Sequence, residues 1–276
     1  MKNVGEILSL SCQFLEEKGI KKPRRDIELL LCSLLKLSRI DLYVNFERPL
    51  EEKELKIIRE GVRRLAAHEP LQYIEGKVSF LDCTISVDKR VLIPRPETEE
   101  LTEKVITHLA TEKESAKVLD LCCGSGCIAC AIKKALPLLE VYGADISSDA
   151  LDVARGNCVQ NNVAVDLIQS DLFSNLKGKQ FDYIVCNPPY IGEHEKNLLD
   201  ESVLKWEPKL ALFAKNGGLE FYERIAKEAP QFCRKMIWFE IGPEMKDKLL
   251  AVFAPFKSTC VEKDLSGKDR FLTVVL

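Results

Sequence analysis

The sequence has no apolar run long enough to span a membrane. The stretch from Leu29 to Leu35 is apolar, but Lys36 ends it, and a membrane-spanning helix needs about 20 mostly apolar residues. The N-terminal segment carries Glu6 early and has no small-residue cleavage site after an apolar stretch. It is typical of an amphipathic helix and not of a secretory signal. We therefore expect a cytoplasmic protein with no membrane partner.

The chain also lacks an excess of either charge. Charged residues make up 30% of the 276 positions, yet the net charge is only -3. A domain that binds nucleic acid through its phosphates usually carries a concentrated positive charge. We therefore expect no direct nucleic-acid partner, and we expect a monomer.

Histidine is scarce and cysteine is plentiful, with 3 and 11 residues respectively. The cysteines are odd in number and scattered, and without an export signal we expect reduced thiols. Four of them crowd together at Cys122, Cys123, Cys127 and Cys130. Their spacing is not that of a paired zinc knuckle, and no histidine is near in sequence. We predict small buried residues at a tight turn, and no metal.

The first 70 or so residues have helical periodicity without a strand pattern. Pro23 is placed to open a second helix, and Ser38 with Asp41 is placed to cap a third. The first apolar stripe consists of Ile7, Leu8, Leu10, Phe14 and Leu15. The pattern predicts a helical domain over residues 1–74 and a β-hairpin with a proline-rich connector over residues 75–96.

Strands alternate with helices over residues 97–276. Alternation of this kind predicts an α/β fold with a mostly parallel sheet covered by helices on both faces. The predicted strands are 117–121, 141–145, 166–169, 183–186 and 236–241, followed by a closing pair at 256–262 and 271–275. Helices are predicted at 97–109, 128–136 and 218–229, and Ser148 is predicted to cap a helix that runs to about Asn161.

A turn of small residues follows the first of these strands and precedes a helix. Such a turn lets backbone N–H groups approach a nucleotide closely. An acid at the end of the next strand, Asp145, is suited to accept hydrogen bonds from ribose hydroxyls. NAD, a flavin and S-adenosylmethionine all fit this pattern. The turn lacks a full G-x-G-x-x-G run, and its opening acid, Asp120, suits a cationic methionine head, which favours S-adenosylmethionine. The turn itself is Cys122, Cys123, Gly124, Ser125 and Gly126.

Two further groups of residues complete the predicted site. Asp171 is suited to accept from an adenine amino group, with Leu172 against the ring. The tetrapeptide Asn187–Pro188–Pro189–Tyr190 follows the fourth strand. Its prolines fix the backbone angles, so the Asn187 side-chain oxygen and the Pro188 carbonyl form a rigid pair of acceptors for an NH2 group. Tyr190 is predicted to stack on that planar group.

These motifs together resemble the release-factor glutamine N5-methyltransferase family over nearly the whole chain. The most discriminating string is Pro94–Arg95–Pro96–Glu97–Thr98, because many DNA methylases also carry an Asn-Pro-Pro-Tyr. Further matches are Asp145–Ile146–Ser147 and 170–173. The chain differs where Cys122 and Cys123 replace a Gly and a Thr, and where Leu172 stands in place of a frequent Trp. A positive φ at Cys122 would be strained.

The resemblance implies a Rossmann-like class I methyltransferase with a seven-stranded sheet and an N-terminal helical bundle. It implies methyl transfer from S-adenosylmethionine, with S-adenosylhomocysteine as product, to the glutamine of a Gly-Gly-Gln loop in class 1 peptide chain release factors. The helical domain would dock the release factor, and Ile146 would contact the cofactor. Phe80, Arg95 and Glu97 would lie near the cofactor or the entering loop.

Two other functions remain open from the residues. One is methylation of an amino group in nucleic acid, such as N6 of adenine, which would need a basic recognition surface. The other is a protein that senses the cofactor without turnover, for which the cysteine-substituted turn is the only support.

Overall fold

The computed structural model describes residues 2–112 and 115–276. The helices are, in chain order, α1 (Val4–Glu17), α2 (Arg24–Leu35), α3 (Arg39–Val44), α4 (Glu52–Ala66), α5 (Leu71–Glu75), α6 (Pro96–Leu109), α7 (Cys127–Ala135), α8 (Ser148–Gln160), α9 (Glu201–Trp206), α10 (Glu220–Glu228) and α11 (Lys246–Val252). The strands are β1 (Lys77–Phe80), β2 (Cys83–Ser86), β3 (Lys117–Leu121), β4 (Glu140–Asp145), β5 (Asp166–Gln169), β6 (Phe181–Cys186), β7 (Ile191–Gly192), β8 (Phe213–Ala214), β9 (Cys233–Glu240), β10 (Ser258–Lys263) and β11 (Asp269–Val275).

The chain divides into two compact units. The first comprises the chain up to Gly76 together with Asp200–Trp206, and the second comprises Lys77–Leu199 and Glu207–Leu276. The segment Asp200–Trp206 contacts the end of α4, because the Trp206 indole donates a hydrogen bond to the Ala67 carbonyl at 3.1 Å. The predicted boundaries at 74 and 96 divide the chain differently and stay a prediction.

Local capping sets the helices of the first unit. Asn3 and Glu6 form a capping box on α1, and Ser38 and Asp41 form the predicted one on α3. The predicted apolar stripe of α1 is correct for Ile7, Leu8 and Leu15, which are buried, but wrong for Leu10 and Phe14, which are partly exposed. Those two lie at one edge of the buried stripe and not at its centre, so solvent reaches them.

The second unit is built on a seven-stranded sheet in the order β10-β11-β9-β6-β3-β4-β5. The neighbours β9, β6, β3, β4 and β5 run parallel, whereas β11 is antiparallel to both β9 and β10. The predicted α/β class with a mostly parallel seven-stranded sheet is therefore confirmed. The strands β3 and β6 lie at its centre and are almost wholly buried, as parallel strands covered on both faces must be.

The predicted elements are recovered with small shifts at their ends. The prediction that Ser148 caps α8 is wrong by one residue: Ser147 is the cap, and its hydroxyl accepts from the Ala150 amide at 3.2 Å. A residue at the cap must have extended backbone angles, and Ser147 has them. In residues 2–112 and 115–276, no helix is both long and apolar enough to cross a bilayer.

Candidate active site

Four neighbouring parallel strands end at the same edge of the sheet, and the predicted site residues follow those ends. The turn after β3, Asp145 at the end of β4, the segment after β5 and the tetrapeptide after β6 come from adjacent strands. Ligands of open α/β sheets bind at this carboxyl edge. A cavity of about 310 Å³ opens there.

Residues from all four strand ends line this cavity. Those that the sequence predicted and the structure places in its wall are Cys122, Cys123, Gly124, Ser125, Asp145, Ile146, Asp171, Leu172, Asn187 and Pro189. The structure therefore brings the turn, Asp145 and Asn187 to one cavity.

The turn after β3 has a left-handed backbone at three positions. Cys122, Gly124 and Gly126 have φ of 62°, 52° and 73°. A β-carbon on Gly126 would lie 3.0 Å from the Ala154 side chain, so α7 approaches α8 closely at this point. The left-handed angle at Cys122 is strained as predicted, because a side chain there costs about 1–2 kcal/mol.

Asp145 is anchored by the backbone around it. One carboxylate oxygen accepts from the Gly124 amide at 2.8 Å, and the other accepts from the Ser147 amide at 2.9 Å. Burial raises the pKa of this carboxyl, while these backbone amides oppose the rise. A carboxylate has about four acceptor positions, so Asp145 keeps capacity for further donors from the cavity.

Asp120 lies under the turn and is not part of the cavity wall. It is fully buried, and one oxygen accepts from the Ala129 amide at 3.0 Å. Its other oxygen, Oδ1, is buried without a hydrogen-bond partner. Burial raises the pKa of Asp120 to about 8, so the carboxyl holds its proton near neutral pH. Gly126 also lies outside the wall, because it faces Ala154.

The segment after β5 forms one end of the cavity with α10. Leu172 is buried and has a φ of 48°. Asp171 forms an ion pair with Arg224 at 2.7 Å, and both residues line the cavity beside Phe221. The sequence did not single out Arg224 or Phe221, because residues on an amphipathic helix carry no signal that relates them to a strand end.

The tetrapeptide is held from both sides. It follows β6 directly, and β7 begins immediately after Tyr190 and pairs with β8. A β-carbon on Gly218 would clash with the Tyr190 carbonyl, so the backbone of Gly218 packs closely against this segment. Asn187 and Pro189 face the cavity, whereas Pro188 is buried and is not part of its wall.

Tyr190 turns away from the cavity wall. Its hydroxyl donates to Glu240 Oε1 at 3.2 Å, and its ring packs against the core of the second unit. Burial and the neighbouring carboxyl raise the pKa of Tyr190. Its contacts therefore anchor the tetrapeptide and do not support the predicted stacking on a substrate.

Asn187 is connected to Glu240 through Thr98. The Asn187 amide nitrogen donates to the Thr98 hydroxyl at 3.1 Å, and the Thr98 hydroxyl donates to Glu240 Oε2 at 2.6 Å. Thr98 lines the cavity and is 3% exposed, and Glu240 is 2% exposed. The roles of these two residues were not predicted. The available signal was a threonine in the first turn of a helix, directly after a proline-locked connector.

Three residues predicted near the cofactor or the entering loop, Phe80, Arg95 and Glu97, do not line the cavity. Phe80 is 1% exposed and belongs to the core. Arg95 forms an ion pair with Glu207 at 2.5 Å, and Glu207 also accepts from the Ile93 amide. This ion pair joins the connector to the segment that begins at Glu207. Residues of the connector and residues of that segment both line the cavity. Glu97 does not line the cavity, but the next residue, Thr98, does.

The four crowded cysteines lie in the turn after β3 and in α7. Within the part of the chain that the structure describes, no three His, Cys, Asp or Glu side chains are grouped to hold an ion. Cys123 and Cys127 are buried, and burial raises the pKa of Cys127 to about 12. Both stay protonated and pack as small apolar side chains.

Comparisons with known proteins agree with this architecture. The family described as "Methyltransferase small domain" matches residues 97–211, and the "PrmC N-terminal domain" matches residues 6–76. A methyltransferase from Pyrococcus furiosus aligns with a TM-score of 0.52 at 13% identity, covering 82% of this chain and 98% of that one. The hMettl16 catalytic domain aligns with a TM-score of 0.53 at 15% identity, covering 82% and 81%. These structures show the fold.

Relatives of higher identity show the family. The release factor glutamine methyltransferase of Chlorobaculum tepidum is 40% identical, covering 98% of this chain and 96% of the relative. The protein of that name from Leptospira interrogans is 37% identical, covering 96% of each. The one from Lactococcus lactis is 39% identical, covering 90% and 93%. This chain belongs to the release factor glutamine methyltransferase family.

Proposed function

We propose that this enzyme transfers a methyl group from S-adenosylmethionine to N5 of the glutamine in the Gly-Gly-Gln loop of class 1 peptide chain release factors. The observation that carries the proposal is the shared cavity. Asn187, the acceptor for the substrate amide, lines the same wall as the Cys122–Ser125 turn and Asp145. The family membership supports the same reaction.

The residues at the strand ends fit the methyl donor. Asp145 keeps acceptor capacity for ribose hydroxyls. Leu172 and Phe221 offer apolar surface to an adenine ring, and Asp171 offers an acceptor for its amino group. Asp120 lies below the turn and does not line the cavity, but a cationic group bound above the turn would lower the pKa of its carboxyl and favour the ionised form. Bound there, S-adenosylmethionine supplies a methyl group activated by its positive sulfur.

Asn187 and Pro188 make the substrate nitrogen reactive by binding its protons. The lone pair of an amide nitrogen is delocalised, so this nitrogen is a poor nucleophile. Two acceptors favour a pyramidal nitrogen and direct its lone pair toward the methyl group: the Asn187 side-chain oxygen in the cavity wall, and the carbonyl of Pro188, which directly precedes the wall residue Pro189. The rate gain comes mainly from alignment and electrostatic stabilisation. The proton becomes acidic only as the nitrogen gains positive charge, so no strong base is needed beforehand.

The N-terminal helical unit supplies the proposed docking surface for the release factor. The acceptor glutamine lies on a protein loop, so recognition needs a surface outside the cavity itself. Residues 6–76, which match the "PrmC N-terminal domain", are separate from the unit that holds the cavity. We further propose that the enzyme acts as a monomer in the cytoplasm, where translation occurs, without binding nucleic acid directly.

Mass spectrometry of the substrate tests the proposed reaction. The enzyme is incubated with deuterium-labelled methyl donor and a purified class 1 release factor, and the tryptic peptide with the Gly-Gly-Gln sequence is fragmented. We expect one labelled methyl group on the glutamine amide, and none in a release factor whose glutamine is replaced by glutamate. Label on DNA or RNA, with none on this peptide, would instead assign the nucleic-acid reaction and refute the proposal.

A further inference from the structure

The side-chain amide of Asn187 has two possible orientations, and only one helps the proposed reaction. With its oxygen toward the cavity, the amide accepts a proton from the substrate NH2. Turned over, it presents its own NH2 to that of the substrate, and the two donors repel. Because oxygen and nitrogen of an amide are told apart by their hydrogen bonds, the contacts of Asn187 decide which orientation the protein holds.

Asn187 contacts the hydroxyl of Thr98, which has a single proton to donate. The Asn187 amide nitrogen lies 3.1 Å from Thr98 Oγ1, which in turn lies 2.6 Å from Glu240 Oε2. A hydroxyl can donate once and accept twice. If the Thr98 proton goes to Glu240, then Thr98 can only accept from Asn187, and the amide nitrogen must face Thr98.

The carboxylate of Glu240 determines the direction of that proton. An ionised carboxyl accepts and never donates, and Glu240 accepts from the hydroxyls of both Thr98 and Tyr190. It is 2% exposed, so water does not compete for these bonds. The relay therefore runs in one direction, from Asn187 through Thr98 to Glu240.

The charge on Glu240 is balanced by groups from several elements. Arg270 of β11 attracts it, whereas Glu97 of α6 repels it. Tyr222 of α10 donates its hydroxyl to the Glu240 carbonyl at 2.7 Å. Cys127 of α7 is also close enough to feel the charge, but its thiol stays neutral.

We propose that Thr98 and Glu240 are positioning residues that hold the Asn187 amide with its oxygen toward the substrate nitrogen. This inference rests on the proposed function. The reverse state follows from the same bonds: a protonated Glu240 donates to Thr98, the Thr98 proton becomes available to the Asn187 oxygen, and the amide turns over. The relay thus links the orientation of a catalytic acceptor to a carboxylate that does not touch the substrate.

Three substitutions in α6 separate positioning from packing. Thr98→Val keeps the shape of the side chain but removes the hydroxyl, and Thr98→Ser restores it. Thr102→Val is the matched control, since Thr102 is also buried in the same helix and its hydroxyl donates to the Thr98 carbonyl at 2.7 Å. For each variant, kcat and KM are measured with the release factor, and the Kd is measured for S-adenosylhomocysteine.

We expect Thr98→Val to lower kcat about 10- to 100-fold, with the Kd for S-adenosylhomocysteine within about threefold of wild type. Thr98→Ser recovers most of the rate, and Thr102→Val stays near wild type. An unchanged kcat in Thr98→Val would overturn the inference. Equal losses in Thr98→Val and Thr102→Val would do so too, because they indicate general packing.

A second measurement does not depend on methyl transfer. The side-chain NH2 signals of Asn187, assigned by their loss in Asn187→Ala, are followed by NMR. In wild type and Thr98→Ser one of the two protons is hydrogen-bonded to the hydroxyl of residue 98, so we expect it to exchange slowly with water, whereas in Thr98→Val we expect its signal to shift and its exchange to become faster. Identical signals in all three proteins refute the relay. If wild type fails to methylate the release factor, the proposed function fails, and the NMR result still decides the positioning.

Discussion

The amide nitrogen of Asn187 lies 3.1 Å from the hydroxyl of Thr98, although the two residues are 89 positions apart in the sequence. One follows a central strand and the other begins the helix after the proline connector. This contact uses the donor end of the amide inside the protein. It leaves the acceptor end for the cavity, where the proposed chemistry needs it.

Removal of the Asn187 side chain should abolish most activity without loss of the methyl donor. We expect Asn187→Ala to lower kcat about 100- to 1,000-fold, the usual effect of losing one positioned polar group. The Kd for S-adenosylhomocysteine, measured by calorimetry, should change little because Asp145 and Leu172 remain. A protein with kcat near wild type would show that Asn187 does not bind the substrate nitrogen.

Asn187→Asp distinguishes the two ends of the amide. The carboxylate keeps an oxygen for the cavity but has no N–H for Thr98, and it adds a negative charge to the network that contains Glu240. We expect a loss of rate comparable with that of Asn187→Ala. Retained activity would mean that the contact with Thr98 is dispensable.

Asp145 should control affinity for the methyl donor. Charge-assisted hydrogen bonds contribute about 1.5–3 kcal/mol each, so we expect Asp145→Asn to raise the Kd for S-adenosylhomocysteine about 10- to 100-fold. The matched control is Asp152→Asn on the exposed side of α8, where Asp152 forms an ion pair with Arg155. Equal affinities in the two variants would remove Asp145 from the proposed ribose site.

Asp120 should make the stability of the free enzyme depend on pH. Its pKa is raised to about 8 by burial in the folded protein, whereas an unfolded chain has a value of about 3.9. Between these values the folded state holds a proton that the unfolded state has released, so stability falls as pH rises. Asp120→Asn lacks this effect and keeps an oxygen for the Ala129 amide.

Thermal unfolding of the free enzyme across pH 5–8 measures the effect. The Tm of Asp120→Asn relative to wild type should increase as pH rises through this range. Parallel curves for the two proteins would contradict a protonated, buried Asp120.

The rate of methyl transfer should depend on the ionisation of Glu240. Burial raises the pKa of Glu240 above its usual range, although Thr98, Arg270 and Tyr190 oppose the rise. The ionised form orients Asn187, so kcat should increase with pH through this raised value and then level off. Glu240→Gln should have a lower kcat and lack this dependence, because an amide does not titrate. A wild-type profile in Glu240→Gln would rule out Glu240 as the titrating group.

The sequence was sufficient to place the edge of the sheet and the residues that line the cavity at the ends of its strands. Alternating strands and helices predict which strand ends meet, so the sequence alone places Asp145, Asp171 and Asn187 at one edge. The tetrapeptide was recognisable because two prolines after a buried strand are unusual. These predictions depended on local patterns that the parallel topology brings to one edge.

The sequence does not predict the hydrogen-bond partners of those residues. Thr98 and Glu240 come from α6 and β9, and only the packing of that helix near the strand connects them with Asn187. The directions of Tyr190 and Asp120 were also not predictable. A strand-end residue can face the cavity or the layer below it, and the choice depends on contacts such as those with Glu240 and Ala129.

A crystal structure with S-adenosylhomocysteine and a peptide that contains Gly-Gly-Gln tests the central claim most directly. We predict that Asn187 Oδ1 accepts a hydrogen bond of about 2.9 Å from the glutamine amide nitrogen, with that nitrogen directed at the cofactor sulfur and Thr98 still bonded to Asn187 Nδ2. A complex in which the Asn187 oxygen faces Thr98, or in which the glutamine amide binds away from Asn187, would contradict the account.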